Sequence, residues 1–538
     1  MSFICFDTED DSRELLESGQ SGFDKRVTQI AAIKSDGSQY YNKGDVPSFL
    51  KWLSCQPENR IYAHNIQYDL GNLFGDSLDK LDCTLVGSRM IKARWGKKLF
   101  CDSYNLWPMS VAKLAPAFGL AKMDFDPHSR EYVFRDVEII WRAISFVGQM
   151  CEAMGLENVP TTLGGLAIKV WQSWGGENCH DSSLLSREGL YGGRVELFKV
   201  HNEADFACWT DINSLYPYVM QGTFPGELEV WERKDLPEFG MVRATVKAPE
   251  SDIMVLPLRA DDGRILYPWG TFQGVWTIAE LKTAVEYGYK IQQVHECLGS
   301  NVSTRPYSVY VQRLYEMRLE SKSDAEKLFF KLLMNNLYGR LGTSGLIGRT
   351  VLRTPQTEQQ GHAFGTKALV EYTLPLSREV NWCHAAYVTS YGRLELLRYL
   401  KTIGAEKLIY CDTDSCIFDH AGGEKGEPLP FSVGKHLGEM KLESWETDVH
   451  CYAPKMYQTG TWVKAKGVPK SKQAEFIRKG HVAYDMPFKY REAVVCYDKG
   501  NTKRLSVWRK IEKWFRTEYD RKKLIKNRFC PCKVSEVC

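Results

Sequence analysis

The feature that most constrains this chain is Tyr410-Cys411-Asp412-Thr413-Asp414-Ser415, set inside KLIYCDTDSCIFDH. Apolar residues flank it on both sides, which predicts a buried strand pair with an exposed polar tip. Side chains alternate along a strand, so Asp412 and Asp414 are expected on one face. Carboxylates held that close raise each other's pKa unless a cation lies between them. An acidic hairpin turn satisfies the same letters. What weighs against it is Asp211, in FACWTDINSLYPYVM, where a strand over Phe206 to Thr210 runs out into a Ser-Leu-Tyr-Pro turn. Two acidic strand ends brought together form an oxygen-ligand site suited to Mg²⁺, which leaves positions for water and substrate phosphates. Two such ions roughly 3.5–4 Å apart can activate an attacking hydroxyl and stabilise a leaving oxygen.

Positive charge comes from a third segment, AEKLFFKLLMNNLYGRLG. Lys331, Asn335 and Tyr338 fall at i, i+4 and i+7, one face of a helix, with Gly339 expected to stop it. An ammonium, an amide and a phenol on one stripe match a nucleoside triphosphate, with phosphates at Lys331 and the sugar and base toward Tyr338. An ordinary amphipathic helix fits the same spacing.

The N-terminal third repeats the acidic theme. Phe3-Ile4-Cys5-Phe6 reads as a strand leading into Asp7-Thr8-Glu9, again an i, i+2 acidic pair. Val27 to Ile33 reads as a neighbouring strand, and Arg60 to His64 as another that ends at Asn65-Ile66-Gln67-Tyr68-Asp69. Tyr132 and Asp136 lie one turn apart in a predicted helix. Asp7, Glu9, Asp69 and Asp136 together make a second set for two Mg²⁺ ions, with Tyr132 orienting a water on a phosphodiester. His64 is expected as a structural neighbour.

A chain of 538 residues, 43% hydrophobic and 25% charged, reads as globular. Its length allows roughly two to four domains. The formal net charge of +3 gives no overall basic field, so any nucleic-acid surface must be local. No apolar run reaches membrane-spanning length, and the N-terminus MSFICFDTED has no basic leader. Sixteen scattered Cys fit reduced thiols in a cytoplasm.

Taken in order, D-x-x-S-L-Y-P, K-x-x-x-N-x-x-Y-G and Y-x-D-T-D-S resemble motifs A, B and C of the family B DNA polymerases. Upstream, D-x-E, N-x-x-x-D and Y-x-x-x-D resemble the three motifs of those enzymes' 3′–5′ exonuclease domain. The resemblance implies an α/β plus α+β multidomain fold, an RNase H-like exonuclease followed by a right-hand polymerase. It also implies Mg²⁺, or Mn²⁺ in its place. Asp211 and Asp414 become the expected metal bridges, with Asp412 in support. The backbone at Ser214 and Leu215 would cradle the triphosphate, and Tyr216 would lie under the sugar and exclude a 2′-hydroxyl. Lys331 would neutralise the transferred phosphoryl group, with a second cation from Arg318, Lys322 or Lys327. Asn336 stands where the family usually has Ser.

Further elements carry expected DNA contacts. Asn65 belongs to the second exonuclease motif. Ser110, before Val111-Ala112-Lys113-Leu114, resembles an element that holds single-stranded primer ends, with Val where the family has Leu; an ordinary helix start fits equally. Tyr191, Gly192, Gly193 and Arg194 resemble the Y-x-G-G template contact, although Leu190 replaces its first Tyr. Arg194 is expected to supply charge. Lys455 and Tyr457 resemble the K-x-Y element that steadies a primer terminus.

The expected divisions are an exonuclease domain over 1–150, a linker over 151–200 and palm over 201–225. An insertion follows over 226–310, resembling the terminal-protein region of the protein-primed subgroup of phages and linear plasmids. Fingers over 311–341, a hairpin insertion over 342–380, palm over 381–460, and thumb with a basic tail over 461–538 complete the chain. Trp508, Ile511 and Phe515 suggest a helical stripe in that tail; Cys530, Cys532 and Cys538 suggest zinc, but their short spacing and the lack of a nearby His favour a frayed end. The expected partners are template-primer DNA, dNTPs and a terminal protein as primer. The expectation is a monomer with no membrane, in a host cytoplasm if viral. Nucleic-acid priming and a catalytically retired DNA-binding scaffold are the alternatives.

Overall fold

The structure, a computed structural model, describes residues 1–12, 14, 26–86, 89–177, 179–343, 349–353, 362–364, 367–372, 378–487, 508–515, 522–525 and 527–536. Two sheets organise it. The N-terminal sheet is built on Phe3–Asp10, which runs parallel to Arg60–Ala63 and antiparallel to Val27–Lys34. Ile4 and Phe6 enter one core while Phe3 and Cys5 enter another. Burial on both faces is why this strand reads as an unbroken apolar run. One face is covered by the helix Arg130–Ala153, whose Val133, Val137, Ile140, Ile144 and Val147 repeat at helical spacing. Ser129 caps that helix by accepting from the Tyr132 amide at 3.2 Å. Phe49 and Leu53 of the helix Val46–Cys55 close the other face.

The sheet does not end with the N-terminal segment. Its edge strand Asp82–Val86 pairs with Arg349–Arg353, which pairs in turn with Lys367–Tyr372. The segment expected as a hairpin insertion therefore extends the sheet of the first domain; residues 344–348, 354–361 and 373–377 lie outside the described residues.

The central sheet runs in the order Met440–Glu446, Ala207–Ile212, Ser415–Asp419, Leu408–Asp412, Val195–Leu197. Thr413 and Asp414 form the turn of its acidic hairpin, with Asp412 opposite Ser415 and Ser415 opposite Asp211. That register carries Asp211 to the tip of the hairpin. The buried helix Trp382–Ile403 supports the sheet. Between motifs lies an antiparallel insertion of Phe239–Ala248, Gly270–Thr277 and Lys290–Ser300, with the helix Ile278–Glu286.

The helices Ser308–Glu320 and Asp324–Leu341 form a hairpin, the second opened by a capping box of Ser323 and Glu326. The expected stop at Gly339 is corrected, since the helix continues to Leu341. A helical glycine costs only about 1 kcal/mol relative to Ala, which the packing of Leu337 and Leu341 outweighs. The helical stripe expected over Trp508 to Phe515 is also corrected. Trp508–Trp514 is a strand paired with His481–Pro487 along its whole length, so tertiary pairing prevails over spacing. Nor is the end frayed at Cys530 and Cys532. Phe529 N donates to Phe198 O at 2.8 Å and Val534 N to Trp269 O at 2.9 Å, while Cys538 lies outside the described residues. No described helix is long and apolar enough to cross a membrane.

Candidate active sites

The central site is assembled at the ends of two strands. Ile212 N donates to Asp414 O at 2.7 Å, tying the Asp211 strand to the acidic turn. Burial, then the neighbouring Asp414 and Glu443, pushes the Asp211 carboxyl up to about 7 against the pull of Lys331 and Lys441. Asp414 is pushed up to about 6, chiefly by burial, with Asp412 adding to the rise and Lys455 and Lys331 opposing it. Lys331 thus reaches from the helical hairpin into the field of both carboxylates.

Asp412 stands apart. Lys455 Nζ donates to its Oδ1 at 2.6 Å, and Tyr410 and Thr413 donate to it through their hydroxyls. The expectation that strand alternation aligns Asp412 with Asp414 is corrected, because the strand stops at Asp412 and Thr413 has φ +66°. Asp211 and Asp414 are brought together; Asp412 is neutralised by a lysine. That lysine is the one expected at a primer end, and its neighbour Tyr457 is buried against Tyr410 at 5.3 Å.

Ser214, with φ +49°, opens the helix Leu215–Met220 without a side-chain cap. Tyr216 lies 4.6 Å from Tyr338 between ring centroids and packs on Gly392, where a Cβ would come within 3.1 Å of its ring. Asn335 and Asn336 turn their amides onto their own helix, donating to Lys331 O at 2.9 Å and Leu332 O at 2.7 Å. Lys331, Asn335 and Tyr338 do share a helix, but the Asn335 amide is already bonded.

The glycine element lies directly beneath the acidic turn. Thr413 N donates to Arg194 O at 2.7 Å. A Cβ on Gly193 would stand 2.6–2.9 Å from the Thr413 side chain, whereas Gly192 has open space. The side chains expected to touch DNA here are corrected. Arg194 is 1% exposed and paired with Glu196, and Tyr191 is 2% exposed. A guanidinium desolvated to that degree needs an internal carboxylate, and Glu196 is that partner.

The N-terminal site is tighter. Ligand oxygens of Asp7, Glu9 and Asp136 lie within 4.8 Å of one another. Asp69 adjoins them, accepting from Thr8 N at 3.0 Å and Thr8 Oγ1 at 2.9 Å. Burial first, then the Asp69, Glu9 and Asp136 charges, raises Asp7 well above the carboxylate range. Glu9 is pushed up to about 8 by burial and then Asp136, and Asp136 is raised by burial against the pull of Lys122. Tyr132 is pushed up to about 12 by burial and its acidic neighbours. Asn65 has φ +62° with its amide on Asp102 Oδ1 at 2.9 Å. Ser110 is exposed at the start of the four-residue helix Val111–Leu114. His64 bonds Ser103 and the Met109 carbonyl, and burial lowers it to about 4.

Two groups escape a motif reading. Lys122 donates to Asp136 Oδ2 at 2.6 Å and lies 5.3 Å from the Tyr132 ring centroid. Glu443, bonded to Lys441 at 2.8 Å, faces Asp211 from the next strand. Both sites suit a divalent cation on the chemistry of their donors. The ligands are all carboxylate oxygens, burial holds Asp7, Glu9, Asp136, Asp211 and Asp414 above their ordinary range, and Asp136 Oδ1 is buried with no hydrogen-bond partner among the described residues.

The model of the family described as DNA polymerase type B, organellar and viral, matches residues 177–367. The DNA-directed DNA polymerase of enterobacteria phage PRD1 is 23% identical over 458 residues, 78% of this chain and 76% of that one. The chain is similar to the type B DNA polymerases. A probable DNA polymerase of Ascobolus immersus is 28% identical over 52% of this chain, which spans 24% of that relative's length. A second, from Podospora anserina, is 28% identical over 53% of this chain and 28% of its own length. Phi29 DNA polymerase complexed with primer-template DNA superposes with a TM-score of 0.71 at 16% identity, covering 96% of this chain and all of that one. The fold is thus that of phi29 DNA polymerase, in which an RNase H-like domain is followed by palm, fingers and thumb.

Proposed function

We propose that this chain is a DNA-dependent DNA polymerase that adds deoxynucleotides to a 3′ hydroxyl and degrades single strands 3′ to 5′ at a second site. The observation that carries this is the pair of separate carboxylate centres, one at Asp211 and Asp414 under Lys331, the other at Asp7, Glu9, Asp69 and Asp136. Residues 1–150 are read as the exonuclease domain, with palm, fingers and thumb following as expected from the motifs.

At the central site, Lys331 is placed to offset charge on a transferred phosphoryl group. Tyr216 and Tyr338, in contact with their rings inclined at 58°, form a wall against which a deoxyribose fits and a 2′-hydroxyl does not. Bound Mg²⁺ would supply Lewis acidity at both centres, held by Asp211 and Asp414 in one and by Asp7, Glu9, Asp69 and Asp136 in the other. In the second centre Tyr132 and Lys122 flank Asp136 and are positioned to hold a water against a phosphodiester. Template-primer DNA and dNTPs are the proposed substrates. A terminal protein is the proposed primer, supported by the insertion over 226–310 and the strands after 342.

The deciding assay supplies purified protein with Mg²⁺, dNTPs and a primed single-stranded template, with Asp414→Ala alongside. Extension by the wild type and none by the variant is expected. DNA binding without extension by either would leave a scaffold.

A further inference from the structure

Arg393 lies inside the molecule, on the helix Trp382–Ile403, and is 3% exposed; Glu280, on the insertion helix Ile278–Glu286, is 0% exposed. Nε and Nη2 of Arg393 donate to the two Glu280 oxygens at 2.8 and 2.9 Å. Its remaining nitrogen, Nη1, donates to Tyr191 O at 3.0 Å and Gly192 O at 2.7 Å. This uses the planar fork that only arginine has, so lysine cannot reproduce it. A second tie runs beside it, Thr277 Oγ1 to Ser390 Oγ at 2.7 Å, between the foot of the insertion helix and the same palm helix.

The path continues past Gly192. Gly193 abuts the Thr413 side chain so closely that a Cβ would stand 2.6 Å away, and Arg194 O holds the Thr413 amide. Thr413 sits between Asp412 and Asp414 at φ +66°. A chain of direct contacts therefore leads from the insertion, through one guanidinium and two backbone carbonyls, to the turn that aims Asp414.

We propose that Arg393 is a positioning residue for polymerisation, and that Glu280 makes its setting depend on how the insertion is seated. The proposal rests on the polymerase reading above and adds a regulatory link to it. A macromolecule that shifts the insertion changes the position of Asp414 without touching it. Neither Arg393 nor Glu280 meets solvent, so the link acts through packing and not through contact with DNA. A small displacement of a reacting group is enough to matter, since a misplacement of about 1 Å can cost on the order of 10²-fold in rate.

The test is single-nucleotide incorporation across a Mg²⁺ series, with single-strand degradation measured on the same full-length preparations. Arg393→Lys is expected to lower the maximal extension rate by about 10- to 100-fold and to raise the half-saturating Mg²⁺. Degradation is expected to stay near the wild-type rate. Glu280→Gln should move both quantities the same way by less. Wild-type extension is measured first and tests the polymerase reading by itself. If the wild type extends and Arg393→Lys matches it in rate and Mg²⁺ dependence, the proposal is wrong. It is also wrong if extension, degradation and melting temperature fall together. Gly193→Ala approaches the same turn from its other side and guards against a misfolded Arg393 variant. It should reproduce the raised Mg²⁺ requirement, and Thr413→Gly added to it should restore extension; no restoration overturns the path.

Discussion

Both acidic centres begin with carboxylates at a strand end, yet they differ in the company they keep. Around Asp7, four carboxylates share, among the described residues, one close cation, Lys122, and that lysine is committed to Asp136. Around Asp211, lysines are interleaved with the acids: Lys455 neutralises Asp412, Lys441 holds Glu443, and Lys331 faces Asp211 and Asp414. The first arrangement is repulsive until divalent cations arrive. The second is closer to balance and leaves room for a substrate that brings its own negative charge. On the proposed function, the first centre would receive a phosphodiester of one charge and the second a triphosphate, and the cation supply matches that difference.

The largest expected effect separates the centres outright. Asp414→Ala should lower extension by at least about 10³-fold while leaving degradation, and Asp7→Ala with Glu9→Ala should do the reverse. A single substitution that removed both activities from a folded protein would break the comparison. Next in size, Lys331→Ala should cost extension about 10²-fold, because its charge faces the reacting groups. Lys122→Ala should cost degradation only about tenfold, because that lysine works through Asp136. Equal losses would mean that Lys122 contacts substrate directly.

The smallest effect is on stability. Glu9 is raised from 4.5 to about 8, and Asp7 is raised with it, so the folded state keeps protons that the unfolded chain has released. Stability from this cluster is fully present below pH 4.5 and is lost as pH rises toward about 8. Melting in chelator should fall by a few degrees over that window, and Mg²⁺ should flatten the slope. Asp7→Asn with Glu9→Gln should flatten it without metal. A flat chelated wild-type profile would mean that the cluster is not repulsive.

Much of this was legible in the chain. Asp7, Asp211 and Asp414 each fit an ordinary turn when taken alone, and they become legible because the motif order ties distant segments together. Lys122 was not legible, since one lysine in a loop carries no periodic signal. Arg194 misled for the opposite reason. Beside two glycines it reads as a phosphate contact, and only the sheet register shows Glu196 opposite Cys411 with the guanidinium folded inward. The pairing of Glu280 with Arg393 likewise depends on the seating of an insertion that no local pattern encodes. Trp508–Trp514 shows helical spacing giving way to a partner strand.

The pairing of Leu85 with Thr350 bears on the order in which the protein is made. A ribosome delivers Asp82–Val86 early, and on one side it finds Arg89–Trp95 at once. Its other side offers unpaired amides and carbonyls until the strands Phe239–Ala248, Gly270–Thr277 and Lys290–Ser300 and the helices Ser308–Glu320 and Asp324–Leu341 have been synthesised. Long-range strand pairing of this kind is slow, and an open edge is exposed to wrong partners while it waits. The sheet built on Phe3–Asp10 therefore waits for a strand more than 250 residues further along the chain.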